Sequence, residues 1–566
     1  MKNDDKQSDF KNLPACTAEY IKLVIKKMKW RKSVRADVQA ELIGHFEDAI
    51  RDCKSDGEKE IRAKELIANF GDAKLIADLA RRAKKRCRPI WVKTIIRAFQ
   101  AACIIIGLFV LYVLWFITGK PAITTNYIEV ANKMVRPTAD DLQNAAPLYE
   151  KAAKILDEQQ GKTGYDCTSK TFTEANETDI ANIKQWLERN TETLNLIAQG
   201  TEKPYYWQTF QPSSPNDNSM MSILMPHLGT YRRAAYGLRW RAYLSAEDKQ
   251  YEKAFADILT AYKLGKHQKG QKTLIENLVG IAIESISTAT ARNILYKHDV
   301  PAEYITAFSN DLQALIKNEN FTMADSFGFE KLLVYDEMQR CFVKSGFGME
   351  HLYPKRLSLL YGYGANSGYG ANSGCGETPQ RISEIKNAVR FVYISLFTYQ
   401  NSEQTRVAVE EYYDFCKNVA VETPYQFKDC ALNTEADKII KGNIFLRLLA
   451  PAMEKVIILS WRNRADVEST LAVVALHTFK QEKGYWPENL QELVSAGLLT
   501  SLPLDPYSDK PLVYKKIEDG FTLYSFGTDF DDDGGKLAEK FTSGKNSIWP
   551  ADGQDGDAVF WPVKSK

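Results

Sequence analysis

Between Ala98 and Thr118 the chain reads AFQAACIIIGLFVLYVLWFIT, an apolar run without a charged residue. At about 1.5 Å of rise per residue a helix of this length covers roughly 30 Å, the thickness of a bilayer's hydrocarbon core. Buried helices of soluble proteins seldom avoid charge for so long, and the run lies too far from Met1 for a cleaved signal peptide, so it is expected to span a membrane once. Arg81, Arg82, Lys84, Lys85, Arg86, Arg88, Lys93 and Arg97 precede it, whereas only Lys120 follows closely. By the positive-inside rule the N-terminal segment is then cytoplasmic and everything beyond Lys120 is exported. Trp91, Tyr112 and Trp115 stand near the ends, where amphipathic rings favour the headgroup layer.

Composition supports a globular chain on either side of this segment. The 566 residues are 44% hydrophobic and 26% charged, long enough for several domains. A net charge of +2 gives no global field to recruit nucleic acid, and the basic block before the apolar run reads as a topology signal in contact with anionic lipid. Nine cysteines are too few for a disulfide scaffold in a chain of this size. On the exported side, Cys416 and Cys430 are the first pair to test for a bridge.

Before the membrane segment, apolar residues recur at helical spacing in three sets: Tyr20 to Met28, Val38 to Ile50 and Ile61 to Phe70, with a further run over Ala73 to Ala83. A three- to four-helix domain over residues 1–92 is expected. Its phrases HFEDAIRD (His45–Asp52) and ELIANFGDAKLIADLA (Glu65–Ala80) resemble the HAAS, or permease-prefix, family from Tyr20 to Arg82. That resemblance implies a small binding or regulatory module placed ahead of membrane segments, with no catalytic residue. His45 has no second ligand at metal-binding spacing and reads as a helix-face residue.

Residues 121–453 read as an exported α-helical, repeat-like domain. Asn144 to Leu156 is helical, and Tyr231 to His267 forms a helical hairpin broken at Ser245 to Asp248, similar to one tetratricopeptide unit whose 34-residue period does not continue. Thr273 to Asn293 and Ala302 to Ile316 add helices, the latter with Pro301 at its start. Stacks of this kind present surfaces to protein partners. The duplicated YGANSG within residues 361–376 is too rich in glycine for a helix and reads as a loop. Tyr205, Tyr206, Trp207 and Phe210 suit packing between helices better than a sugar platform.

Residues 454–566 read as a long helix followed by a small α+β module. Apolar spacing runs from Ile439 to Leu459 with a kink at Pro451, then again over Val467 to Lys483, where Glu468, His477 and Lys480 make the helix amphipathic. Pro487 is expected to start a helix faced by Leu490, Leu493 and Val494. Pro511 to Lys516 and Phe521 to Phe526 pair as a hairpin around Asp519 and Gly520. The Gly484, Tyr485, Trp486, Pro487 turn and the later Leu502, Pro503, Asp505, Pro506, Tyr507 signature resemble the globular part of type II secretion major pseudopilins. That family coordinates calcium in an acidic C-terminal loop, and by motif Asp529 in FGTD and Asp557 in GDAVFWP fall where its loop carboxylates fall. Asp531, Asp532 and Asp533 are nearby additions, and DFDDDGG offers the hard oxygens and the glycine that a calcium wrap needs. Asp529, Asp531, Asp533 and Asp557 are therefore the expected metal ligands. The order of parts resembles the layout of uncharacterised envelope proteins of planctomycete-type bacteria, a likeness that implies an inner-membrane address and no activity.

No phosphate-cradling GxxxxGK, GxSxG elbow, HExxH or CxxCH occurs, and the six histidines are scattered. The sequence thus favours a non-enzymatic envelope scaffold that binds protein partners and calcium. An exported hydrolase or carbohydrate-active enzyme whose site is built from distant residues, and a transmembrane sensor, are the alternatives.

Overall fold

The computed structural model describes residues 10–86, 90–117, 119–160, 167–168, 170–215, 217–225, 227–317, 319–344, 350–353, 356, 360, 400–429, 432–450, 453–539, 548–551 and 554–563. They are mainly helical and fall into two compact units, Met1–Trp115 and Phe116–Lys566. The loop at 361–376 and Cys430 lie outside the described residues; Cys416 is buried.

In the first unit, α1 (Ala15–Lys27), α2 (Lys32–Ile50), α3 (Asp56–Phe70) and α4 (Ala73–Arg86) form a bundle. Its core is Ile21, Val24, Met28, Val38, Leu42, Phe46 and Ile50, the apolar stripe that the spacing marks, closed by Ala73 and Ala77. Ser55 starts α3 by accepting the Glu58 amide, satisfying an N–H that the first turn leaves free. Gly71 (φ 77°) ends it, and the Tyr20 hydroxyl donates to the Gly71 carbonyl at 3.0 Å. His45 is exposed on the helix face, with its ring 5.4 Å from that of Phe70. Helix α5 (Ile90–Ile117) carries Thr94–Trp115, a stretch of mean hydropathy 2.3 with none of it buried by protein. It is long and apolar enough to cross a membrane.

The second unit contains α6 (Tyr127–Val135), α7 (Ala146–Gln160), α8 (Glu177–Arg189), α9 (Thr191–Thr201), α10 (Leu228–Glu247), α11 (Tyr251–Lys269), α12 (Leu274–Lys297), α13 (Ala302–Ile316) and α14 (Ala324–Cys341). A short hairpin follows, β1 (Phe342–Lys344) with β2 (Glu350–Leu352), which the sequence did not suggest. Then come α15 (Ser402–Val419), α16 (Pro424–Phe427), α17 (Leu432–Lys441), α18 (Ile444–Leu449), α19 (Met453–Lys483) and α20 (Gln491–Ser495). Helices α10, α11 and α12 pack in succession as antiparallel neighbours. The α11–α12 crossing needs two glycines: a Cβ on Gly265 would lie 2.8 Å from the Gly280 carbonyl, and one on Gly280 2.6 Å from that of Gly265. Pro301 is the N-cap of α13 rather than its first helical residue, because its ψ of 146° is extended.

One core runs from Ala145 and Tyr149 through Leu238, Ile283 and Phe308 into Val473, Leu476, Leu493, Leu523 and Trp561. The C-terminal module therefore shares its interior with the helical stack. Helix α19 is the reason. Instead of two helices meeting near Leu459, it is continuous, and it is buried almost all round rather than amphipathic. Its polar residues are paired inside: Arg292 of α12 donates to Asp466 Oδ1 at 2.7 Å and to the Asp466 carbonyl at 3.0 Å, while Thr288 donates to Asp466 Oδ2 at 2.6 Å. Helix α18 ends at Leu449 and α19 starts at Met453; Pro451, where the kink was expected, lies outside the described residues.

The module itself is a three-stranded antiparallel sheet, β5 (Val513–Ile517), β6 (Gly520–Ser525) and β7 (Ala558–Trp561), with a two-stranded pair, β3 (Leu504–Asp505) and β4 (Lys510–Pro511). In the β5–β6 hairpin Ile517 pairs with Gly520. Strand β7, unmarked by sequence reasoning, closes the sheet against β6 and is buried along its length. The helix expected after Pro487 is short, and Leu490 and Leu493 are its buried face.

Candidate metal centre

The acidic loop begins where β6 ends and is held from below by Asp505. This fully buried carboxylate accepts the Tyr507 amide (3.0 Å), the Ser508 hydroxyl (2.8 Å), the Ser525 hydroxyl (2.6 Å) and the Phe526 amide (3.2 Å). Burial pushes its pKa up and these donors oppose the shift. The Leu-Pro-x-Asp-Pro-Tyr signature thus has a local explanation: its Asp fastens the turn to the last residues of β6. Its Tyr507 accepts from Arg462 Nε of α19 at 2.7 Å and packs its ring 5.5 Å from Phe530.

Phe530 has φ 66°, a left-handed conformation costly for an aromatic residue, which turns the chain back on itself between Asp529 and Asp531. Opposite, Gly556 has φ 124°, and a Cβ there would lie 2.5 Å from the Ala538 amide nitrogen, so the two strands of loop can approach only at glycine. The Gly556 amide donates to Asp529 Oδ2 at 2.9 Å.

This wrap gathers Asp529, Asp531, Asp533 and Asp555, one carboxylate oxygen from each lying within 4.8 Å of the others. Three of the four expected ligands are together. The fourth member is Asp555, which sequence reasoning did not name although the alternation Asp555, Gly556, Asp557 offered it. Asp557 lies outside this group. It is fully buried, its Oδ2 accepts the Gly535 amide at 2.6 Å, and its backbone bridges Leu537. Burial pushes its carboxyl up to about 7; the Gly535 and Asp533 amides pull the other way, while Asp532 and Asp533 raise it further. Its Oδ1 has no hydrogen-bond partner among the described residues, and neither has the buried Oδ2 of Asp533. Asp532 turns away, accepting from the Tyr524 hydroxyl at 2.7 Å and the Gly534 amide at 2.9 Å. Lys536, 3.1 Å from Asp555 Oδ2, is a local counter-charge.

Like-charged carboxylates about 5 Å apart repel by about 1 kcal/mol per pair even at the dielectric constant of water. A hard divalent cation with a preference for several oxygens relieves that repulsion, and the all-carboxylate donor set with an orphaned Asp533 oxygen fits calcium. Asp529, Asp531, Asp533 and Asp555 would hold the ion, and bound calcium supplies charge neutralisation. The chain's own residues fix the loop through the Asp505 hub, the Gly556 crossing and the Phe530 turn. Comparison with family models, with curated proteins and with solved structures found no match to the chain.

Proposed function

We propose that this chain is a single-pass, membrane-anchored envelope scaffold without catalytic activity, whose exported region binds protein partners and is rigidified by a structural calcium ion. The HAAS-like bundle is its cytoplasmic end, and the pseudopilin-like module, at the far end of the exported region, carries the metal. The observation that carries the anchoring is the surface of α5. None of Thr94–Trp115 is buried by protein, and lipid is the environment that removes such a surface from water. The charge asymmetry around it supports an N-terminus on the cytoplasmic side, and the likeness of layout to bacterial envelope proteins supports an inner membrane.

Alkaline extraction tests the anchor: the chain stays in the membrane pellet, and recovery in the soluble fraction refutes it. Cysteine labelling from outside, after unfolding in intact cells, reaches Cys416 and not Cys53; the reverse pattern refutes the orientation. Crosslinking in native membranes followed by purification recovers a stable protein partner, and its absence counts against the scaffold. Calorimetry of the full chain in nanodiscs gives binding heat with calcium and a raised melting temperature; neither appearing removes the metal.

A further inference from the structure

A cavity of about 730 Å³ opens in the second unit between the C-terminal end of α13, the 319–322 segment, α19 and the 499–503 loop. Its size is that of a small-molecule site. The α19 wall is one stripe, Trp461, Arg464, Glu468 and Leu471, and Leu499 with Phe321 extends its apolar lining.

The hydrogen-bonding capacity of these walls is one-sided. Both carboxylates at the cavity are engaged by protein. Glu319 pairs with Lys269 and accepts the Tyr262 hydroxyl at 2.8 Å. Glu468 Oε1 accepts Arg464 Nε, and its Oε2 accepts the Leu504 amide, each at 2.7 Å. The donors are not exhausted. Arg464 uses only Nε in these bonds, so both Nη groups are without a protein partner among the described residues, and its guanidinium stacks 5.3 Å from the centre of the Trp461 ring, which fixes its plane. Lys317, exposed at the end of α13, has no carboxylate partner among the described residues. A planar guanidinium with its Nη edge free, in a cavity that an ammonium also lines, suits a carboxylate, and the apolar lining suits an uncharged body behind it.

The geometry points to a binding site for a small organic anion, a carboxylate on an apolar body, whose head is taken by Arg464 and Lys317 and whose body lies against Trp461, Phe321, Leu471 and Leu499. The site joins the helical stack to the C-terminal module, so a bound ligand touches both.

The test uses the full chain in nanodiscs of zwitterionic lipid, titrated with 4-phenylbutyrate and with its uncharged amide, by calorimetry and ligand-observed NMR. The acid binds saturably at one site and the amide about tenfold more weakly, the worth of one charge-assisted hydrogen bond. Arg464→Gln removes that preference. Lys317→Gln, at an exposed position where folding is not at stake, weakens the acid about threefold. Thr500→Trp, at the exposed mouth, abolishes binding while the melting temperature holds. Equal binding of acid and amide, an affinity indifferent to both Lys317→Gln and Arg464→Gln, or no saturable binding of the acid at millimolar concentration overturns the assignment.

Discussion

Replacing Arg292 with leucine tests whether the helical stack and the C-terminal module are one cooperative body. Arg292 and Asp466 are 4% and 5% exposed in their side chains, so the pair is desolvated. The guanidinium reaches the Asp466 carboxylate and carbonyl and Thr470 Oγ1, and it lies 5.7 Å from the ring of Phe560 in β7. Arg292→Leu leaves the Asp466 carboxylate in an apolar interior with only the Thr288 hydroxyl. Removing one partner of such a pair costs about 3–5 kcal/mol, a large part of the total stability of a domain. The double variant Arg292→Leu with Asp466→Leu has no stranded charge and should recover most of the loss, giving a coupling energy of about 2–3 kcal/mol. Hydrogen exchange read by mass spectrometry on the full chain measures this region by region. In Arg292→Leu, amides of α12, of Ala472–Leu476 and of β6 and β7 exchange about a thousandfold faster together, as an opening free energy lowered by about 4 kcal/mol requires. Protection in β6 and β7 that stays within tenfold of the parent, with loss confined to the turn around Thr288–Leu295, would refute the shared core.

His477 lies among Trp486, Phe521 and Trp561, and burial lowers its pKa to about 4. Its folded value is below its unfolded one of about 6.5, so its contribution is complete above pH 6.5 and is lost as pH falls toward 4, roughly 3 kcal/mol in all; His477→Phe flattens urea-unfolding stability over that window, and an unchanged slope is the contrary result. Asp555→Asn weakens calcium about tenfold or more by calorimetry, and an unaltered affinity removes Asp555 from the ligand set. Asp557→Asn acts on the fold in the absence of metal: the folded pKa is raised to about 7, so the carboxyl's contribution is whole below about pH 4, is lost as pH rises to 7 and is gone above it, and the variant melts higher than the parent at pH 8 but not at pH 4. Gly556→Ala forces a Cβ against the Ala538 backbone at φ 124° and lowers stability by about 2–4 kcal/mol in thermal unfolding, with calcium affinity falling alongside; a neutral result means the loop crossing is looser than described.

The membrane-length helix and the first-unit bundle were legible because their burial follows composition: apolar residues at helical spacing face inward in α1 and α2, and an uninterrupted apolar run has no inward side at all. Helix α19 was misread for the opposite reason. Glu468, His477 and Lys480 read as its polar face yet are half-buried, and Arg462, Asn463, Asp466, Ser469 and Thr470 are fully buried. Their partners include Tyr507 for Arg462, Glu284 for Asn463, and Thr288 and Arg292 for Asp466, residues far away in sequence. Periodicity cannot supply a partner, so polar was taken for exposed. The same limit applies at the metal loop. The acidic text was plain, but choosing Asp555 over Asp557 depends on Gly556 crossing the Leu537–Ala538 backbone, which turns one side chain outward and buries the next.

That crossing also decides what a bound cation would act on. From the acidic loop, Phe530 packs on Tyr507, Tyr507 accepts from Arg462, and Arg462 stands on α19 four residues before the Asp466 that Arg292 holds. Tyr507, Arg462 and Asp466 are buried and Phe530 is half-buried, leaving little freedom to absorb a displacement, and the Asp505 hub ties the loop to β6. An ion that binds only the folded loop stabilises everything that must unfold with the loop, in proportion to the logarithm of its concentration over its dissociation constant. In a detached module that unit would be the sheet alone. Here it includes α19 and, through Asp466, α12, so the proposed calcium would stiffen the helical surface proposed to meet a partner.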